Sequence, residues 1–343
     1  MQRVVVAGFL GAGKTTLLLE LAKRYTEAGF KIAIIENEAG QQGIDGAILS
    51  SAGYQVREIY AGCICCTLQG HLTTALDDIY DNYHPDILLV EPSGIASPGM
   101  IKDALWNHKK GEQGTLSLLM LLDLARLAAI QEKASFFIER SLQDADIVVL
   151  TKTDLVAGPV FGEAEAFIRL NNPQAPIVRL DYRDAGTLSA LINHISHFHA
   201  RQMNTGNQVF DSFRYFTAVS REQTGSVARR LGSEELRKYL AEILQGIAAG
   251  LRDAGKPLIG HIKCLLKPVG AGYLTASLLD YDNTIYHGGE LGALEGDYAF
   301  RINAVLVDFE KEKLERILTQ GLETFPRGPS GFPGGFFTAH SAE

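Results

Sequence analysis

The sequence predicts an α/β protein: a doubly wound, mostly parallel sheet over residues 1–200, then a smaller α+β carboxy-terminal domain. Two patterns carry that expectation. Six short β-rich runs (VVVAGF, KIAIIEN, DILLVEP, LSLLMLLD, ADIVVLTK and APIVRL) alternate with helically periodic segments. Runs apolar on both faces, alternating with helices, belong to a parallel sheet covered on both sides. The order then changes beyond the polar stretch HARQMNTGNQVFD, with a linker expected at 201–211. A chain of 343 residues has room for two such domains.

The second domain, expected over 212–324, opens with the strand candidate FRYFTAVS. Ser233 followed by Glu234 and Glu235 reads as a helix start with acids in its first turn. Leu236, Leu240, Ile243, Leu244, Ile247 and Leu251 keep one helical face apolar until GKP stops it. Three strand-like runs follow (LIGHIKCLLKPV, GYLTASLLDYD, YAFRINAVLVDF), then a short helix from Glu310. Cys264 shares a strand face with Ile262 and Leu266 and is expected in the core, with His261 on the opposite face. The tail at 325–343 is rich in Gly and Pro and is expected not to pack.

Composition excludes several classes. With 46% hydrophobic and 21% charged residues the chain has ample material for a core. A net charge of −8 argues against nucleic acid or an anionic membrane as partner, since both reward a basic face. Four cysteines, three of them clustered, do not form a secreted disulfide framework. With the opening MQRVVVAGF already strand-like, no signal peptide is expected. No apolar stretch approaches the ~20 residues of a membrane helix; LSLLMLLDLA is broken by Asp123. A cytoplasmic protein is expected.

GFLGAGKT at 8–15 matches G-x-x-x-x-G-K-[ST] in full, between a strand and a helical run. Gly8, Gly11 and Gly13 let backbone N–H groups turn inward around phosphates. Lys14 would reach the β- and γ-phosphates, Thr15 would ligate Mg²⁺, and Thr16 begins the helix whose positive end faces the anion. ADIVVLTKTD at 145–154 ends a strand in T-K-x-D. Guanine offers two adjacent donors, N1–H and the N2 amino group, which a carboxylate accepts together and which adenine lacks. Asp154 is therefore the expected guanine reader, with the stem of Lys152 along the base plane. Thr151 stands where many GTPases have Asn, so a polar contact to the base is weaker or missing there. ILLVEPSG at 87–94 is a buried strand ending in an acid. Glu91 would hold the Mg²⁺ shell or orient the attacking water, and Gly94 could turn its N–H to the γ-phosphate. The bland alternative for Glu91 is a strand-end cap.

GCICC at 62–66 places Cys63, Cys65 and Cys66 together. Three thiolates are a soft, anionic ligand set suited to Zn²⁺, Co²⁺ or Cu⁺, and an incomplete tetrahedron suits a metal that must leave again. A redox switch, a structural zinc site and inert packing are the competing readings. Adjacent cysteines would close a strained ring, and structural zinc sites close with a fourth ligand nearby.

GFLGAGKTTLL, ENEAGQQGID, GCICCTLQG, EPSG and TKTDL stand in the order and spacing of the CobW-like GTPases, relatives of the hydrogenase and urease nickel-insertion GTPases. The chain resembles that family over about residues 1–200. The resemblance implies a GTP-hydrolysing metallochaperone or metal-insertion factor using GTP and Mg²⁺, with Zn²⁺ or Co²⁺ at Cys63, Cys65 and Cys66. It also implies Glu38 as a candidate further ligand and Asp45 in the switch I region near Mg²⁺. Gln41 departs from the pattern, an amide where the family carries an acid, and His71 occupies a place that is often acidic. The expected partner is a client metalloprotein or a cobalt/corrinoid-pathway enzyme, with a nucleotide-dependent homodimer as a further expectation. No arginine finger stands out, so turnover without a partner is expected to be slow. Two other functions remain open: a GTP-gated protein chaperone that carries no metal, and a P-loop metabolite kinase, which the thiols and TKTD disfavour.

Overall fold

The computed structural model describes residues 1–38, 55–60, 66–108, 114–197, 216–268, 272–282 and 284–323. The chain divides into two compact units, Met1–Arg214 and Tyr215–Glu343. The expected linker at 201–211 and tail at 325–343 lie outside the described residues.

In the first unit seven parallel strands form one sheet in the order β3-β2-β4-β1-β5-β6-β7. They are β1 (Gln2–Gly8), β2 (Ile32–Glu38), β3 (Gln55–Tyr60), β4 (Ile87–Glu91), β5 (Leu116–Asp123), β6 (Ile147–Thr151) and β7 (Ile177–Arg179). Helices join them: α1 (Lys14–Glu27), α2 (Cys66–Asp78), α3 (Pro98–Trp106), α4 (Leu127–Asp144), α5 (Gly158–Asn171) and α6 (Ala185–His197). The six expected strands are present, and β3, QVREIY, is an addition. It is an edge strand, so Gln55, Arg57 and Glu58 interrupt its apolar pattern and hide it from a reading based on apolar runs. The central strands bury both faces: every residue of β4, β5 and β6 is buried.

Helix α1 shows how the sequence builds this layer. Leu17, Leu18, Leu21, Ala22 and Tyr25 form its buried stripe against the sheet. Gly29, at φ +88°, ends it in a Schellman turn: its N–H reaches the Thr26 carbonyl and that of Phe30 reaches Tyr25, at 2.9 and 3.0 Å. The Tyr25 and Phe30 rings meet edge-on across the turn, 6.2 Å apart. Burial pushes the Tyr25 hydroxyl up to about 12.

The second unit is a five-stranded antiparallel sheet in the order β11-β10-β9-β12-β8. Its strands are β8 (Phe216–Gly232), β9 (Ile259–Pro268), β10 (Leu274–Leu278), β11 (Ile285–Gly288) and β12 (Ala293–Val307). Helices α7 (Ser233–Asp253) and α8 (Lys311–Glu323) complete its core. All six residues of the expected α7 stripe are buried, with Glu234 and Glu235 in the first turn. Two expectations need correction. The strand starting at FRYFTAVS runs on through Gly232, because β12 pairs with it along nearly its whole length. The four-residue β11 is a further strand, too short to show a period. Cys264 is fully buried with Ile262 and Leu266, as expected.

Candidate functional site

The phosphate loop follows the central strand. β1 ends at Gly8, in register with Leu121 of β5; a Cβ at Gly8 would stand 2.8 Å from the Leu121 carbonyl oxygen. Gly11 and Gly13 take positive φ of +77° and +93°, which glycine adopts without the Cβ penalty. Helix α1 starts at Lys14, two residues before the expected Thr16, with Gly13 as its left-handed N-cap. Lys14 is buried and Thr16 exposed at the positive end of the helix. Backbone N–H groups, a lysine and a helix terminus therefore converge at one edge of the sheet.

β4 delivers the acid to the same edge. The Thr15 hydroxyl donates to Glu91 Oε1 at 2.9 Å. Glu91 is 4% exposed, and in register beside it on β2 stands Glu36, 2% exposed. Glu36 was not among the sequence candidates; an acid closing the apolar run IAII was the signal for it. Two buried carboxylates and a hydroxyl make a hard oxygen donor set of the kind Mg²⁺ takes. Gly94 lies against the loop itself. A Cβ there would sit 2.8 Å from the backbone nitrogen, Cγ and Cδ2 of Leu10.

β6 ends in the T-K-x-D residues. The Thr151 hydroxyl donates to the Ala12 carbonyl of the phosphate loop at 3.0 Å. Its single proton has the Leu122 carbonyl as a second acceptor at 3.4 Å, and the shorter contact ties Thr151 to the loop from the base side. Lys152 takes φ +55° and its ammonium pairs with Asp123 Oδ2 at 2.7 Å. Asp123, at the end of β5, is 1% exposed at its side chain and also accepts the Ala125 N–H at 3.1 Å. In the sequence Asp123 is only a break in an apolar run; its role as anchor of Lys152 needs β5 and β6 side by side, where Asp123 pairs with Thr151. Asp154 sits in the 3-10 turn Thr153–Leu155, 40% exposed, with the Arg183 guanidinium 3.8 Å away. Arg183 spends its fork on Asp181, at 2.9 and 2.8 Å, and holds that carboxyl down to about 2.

Of the metal candidates, Cys63 and Cys65 lie outside the described residues, as do Gln41 and Asp45. Cys66 is the first residue of α2, Glu38 the last of β2, and His71 stands within α2. Tyr60 ends β3, so the segment bearing the thiols leaves the sheet at its carboxyl edge, the edge of the phosphate loop and Glu91. β3 and β4 are two strand spacings apart, about 10 Å. Among the described residues no helix is long and apolar enough to cross a membrane.

Comparison with known proteins agrees with this geometry. The family model for the CobW/HypB/UreG nucleotide-binding domain matches residues 2–179. The zinc chaperone YjiA of Escherichia coli is 35% identical over 188 residues, which are 52% of this chain and 57% of YjiA; the chain thus spans little more than half of that relative. The zinc chaperone CobW of Sinorhizobium sp is 28% identical over 78% of this chain and 84% of its own length. Among solved structures, the zinc-bound YjiA GTPase from E. coli aligns over 93% of this chain and 98% of its own at 19% identity, with a TM-score of 0.40, a likeness that adds nothing to the family match. A full phosphate loop on the central strand, an acid on the neighbouring strand and a family match over half the chain lead to one conclusion: this chain belongs to the CobW/HypB/UreG family.

Proposed function

We propose that this protein is a GTP-hydrolysing metallochaperone or metal-insertion factor that carries a transition metal on Cys63, Cys65 and Cys66. The observation that supports it best is the Thr15–Glu91 bond at 2.9 Å, set at the carboxyl edge of the sheet, where β3 ends at Tyr60, six residues before Cys66 opens α2. A phosphate site and a thiol segment on one edge can sense each other; on opposite edges they could not do so directly.

The chemistry follows from the residues. The N–H groups of the loop through Gly8, Gly11 and Gly13 and the Lys14 ammonium bind the phosphates. Thr15, with Glu91 behind it, would hold Mg²⁺, which supplies charge neutralisation on the β- and γ-oxygens when bound. Glu91 orients the attacking water through its second oxygen. Gly94, packed on Leu10, is the residue best placed to report whether a γ-phosphate fills the loop. Asp154 reads guanine, with Lys152 held in place by Asp123. The cargo is a soft cation; relatives named zinc chaperones favour zinc over cobalt. The client is a metalloprotein, for which the second unit offers a separate body.

The test is a titration of reduced, metal-free protein with Zn²⁺ and Co²⁺, with and without Mg²⁺ and a non-hydrolysable GTP analogue, using Cys65→Ser as control. Zinc affinity should shift 5- to 150-fold with nucleotide, about 1–3 kcal/mol of coupling, and collapse in the variant. Zinc binding indifferent to nucleotide, or no zinc binding at all, would mean that the thiols are not the cargo site and would favour the second reading, a GTP-gated chaperone that carries no metal.

A further inference from the structure

The N–H groups of a phosphate loop face an anion only while the carbonyls of the same peptides face away. Side chains hold two of those carbonyls. Thr151 donates to Ala12 at 3.0 Å, and Arg126 Nη1 donates to Leu10 at 3.0 Å. Thr151 belongs to the base-reading motif; Arg126 belongs to no motif in the sequence. It closes the 3-10 turn Leu124–Arg126 after β5, a turn folded by the Ala125 N–H on Asp123. The same Asp123 anchors Lys152. Arg126 is 5% exposed, and its guanidinium carbon lies 5.8 Å from the centre of the Phe9 ring. On its other side Leu10 meets Gly94 with no space for a Cβ. Leu10 thus meets both Arg126 and Gly94, which stands three residues beyond β4.

We propose that Arg126 is a positioning residue for the nucleotide. By taking the Leu10 carbonyl it turns the loop's N–H groups toward the phosphates, and it places a buried positive charge behind them. Because it acts on phosphates and not on the base, its effect is the same for any nucleotide with a β-phosphate. The inference rests on the reading of this loop as a nucleotide site. The competing structural role is a clamp on α4, which would affect folding stability alone.

The experiment compares wild type, Arg126→Gln and Arg126→Lys by calorimetric titration with GDP and with a non-hydrolysable GTP analogue, beside thermal melts without nucleotide. Arg126→Gln should weaken both ligands ~10-fold or more, the effect of one charge-assisted hydrogen bond. Arg126→Lys, which keeps a charged donor, should recover most of that loss. Arg126→Gln should also lower the nucleotide-free melt, because the buried Leu10 carbonyl loses a charged donor; the loss of affinity and its recovery in Arg126→Lys are what separate positioning from a clamp. Wild-type affinity in a folded Arg126→Gln variant overturns the proposal, as does a lower melt with unchanged affinity. Should Arg126→Gln not fold, Arg126→Met, with its unbranched apolar stem, takes its place under the same criteria. Wild type that binds ADP in place of GDP would sink the guanine assignment and leave Arg126 to be judged on ADP. Wild type that binds neither would overturn both readings.

Discussion

Asp154→Asn is the sharpest test of the base assignment. The Asp154 carboxylate is 40% exposed, and the Arg183 guanidinium stands 3.8 Å from it while pairing more closely with Asp181. It is accordingly available to accept from the N1–H and N2 amino group of a guanine. Each charge-assisted hydrogen bond is worth about 1.5–3 kcal/mol, and partial exposure places these at the lower end. Two bonds then give about 3 kcal/mol, or roughly 150-fold in affinity. Asparagine presents an N–H₂ to one of guanine's donors, so GDP binding should fall by that factor or more. Xanthine carries a carbonyl where guanine has the amino group, and an amide can donate to it. The variant should therefore bind XDP better than wild type does, a gain that simple damage to the site cannot produce. The assay is displacement of a fluorescent nucleotide by GDP, XDP and ADP. GDP affinity within about threefold of wild type, or equal losses for all three nucleotides, would refute Asp154 as the guanine reader.

Other expectations follow from particular contacts. Gly94→Ala should cost GDP about tenfold in affinity by calorimetry, since its Cβ meets the Leu10 backbone at 2.8 Å and overpacking costs ~1–3 kcal/mol; unchanged affinity would mean that Leu10 yields freely. Burial raises Asp144 and Asp146 above the usual carboxylate range, outweighing Arg140 at the first and Lys102 at the second. The folded state thus binds these protons more readily than the unfolded one, and the stability they contribute falls as pH rises from the unfolded value of 3.8 through the raised folded one. Wild type should accordingly gain on Asp146→Asn as pH is lowered through that window, by ~1.4 kcal/mol for each pH unit separating the folded and unfolded values, in urea melts at neutral and acid pH. A constant difference would show that Asp146 titrates normally. Cys264, fully buried with its thiol pushed up by burial, should resist iodoacetamide in the native state and react on unfolding. Peptide mapping that finds it modified in native protein would contradict its place in the core.

The nucleotide elements were legible because each is local. GFLGAGKT needs a strand before it and a helix after it, and both adjoin it directly in the chain. The α7 stripe was equally readable, since its period is carried by apolar residues on one face. The features that were missed are relational. Arg126 and Asp123 acquire meaning only once β5 lies beside β1 and β6, so that the Leu10 carbonyl and the Lys152 ammonium come within reach. Thr151 looked like a weakened base contact, whereas the fold brings the Ala12 carbonyl to its hydroxyl. β3 was hidden by the polar residues that an edge strand tolerates, and β11 by its length.

The phosphate loop and the helix that follows it are tied to strands on both sides. The β5–β6 side is bound to the phosphate loop through Thr151 and Arg126, and within itself through Asp123 and Lys152. Toward the thiol segment one side-chain bond from α1 is Thr15 to Glu91 on β4, and beyond β4 come β2, with Glu36 in register, and β3. On the proposed reading, a change at the γ-phosphate reaches Cys66 by way of β4. Glu91→Gln tests that route. The amide oxygen still accepts from Thr15, but the charge that Mg²⁺ and water respond to is gone. Zinc affinity without nucleotide should match wild type, while the shift produced by Mg²⁺ and the non-hydrolysable analogue should fall below about twofold, against the 5- to 150-fold of a working coupling. Zinc competition with a chromogenic chelator reads both. A full shift in Glu91→Gln would move the route away from β4 and refute this path.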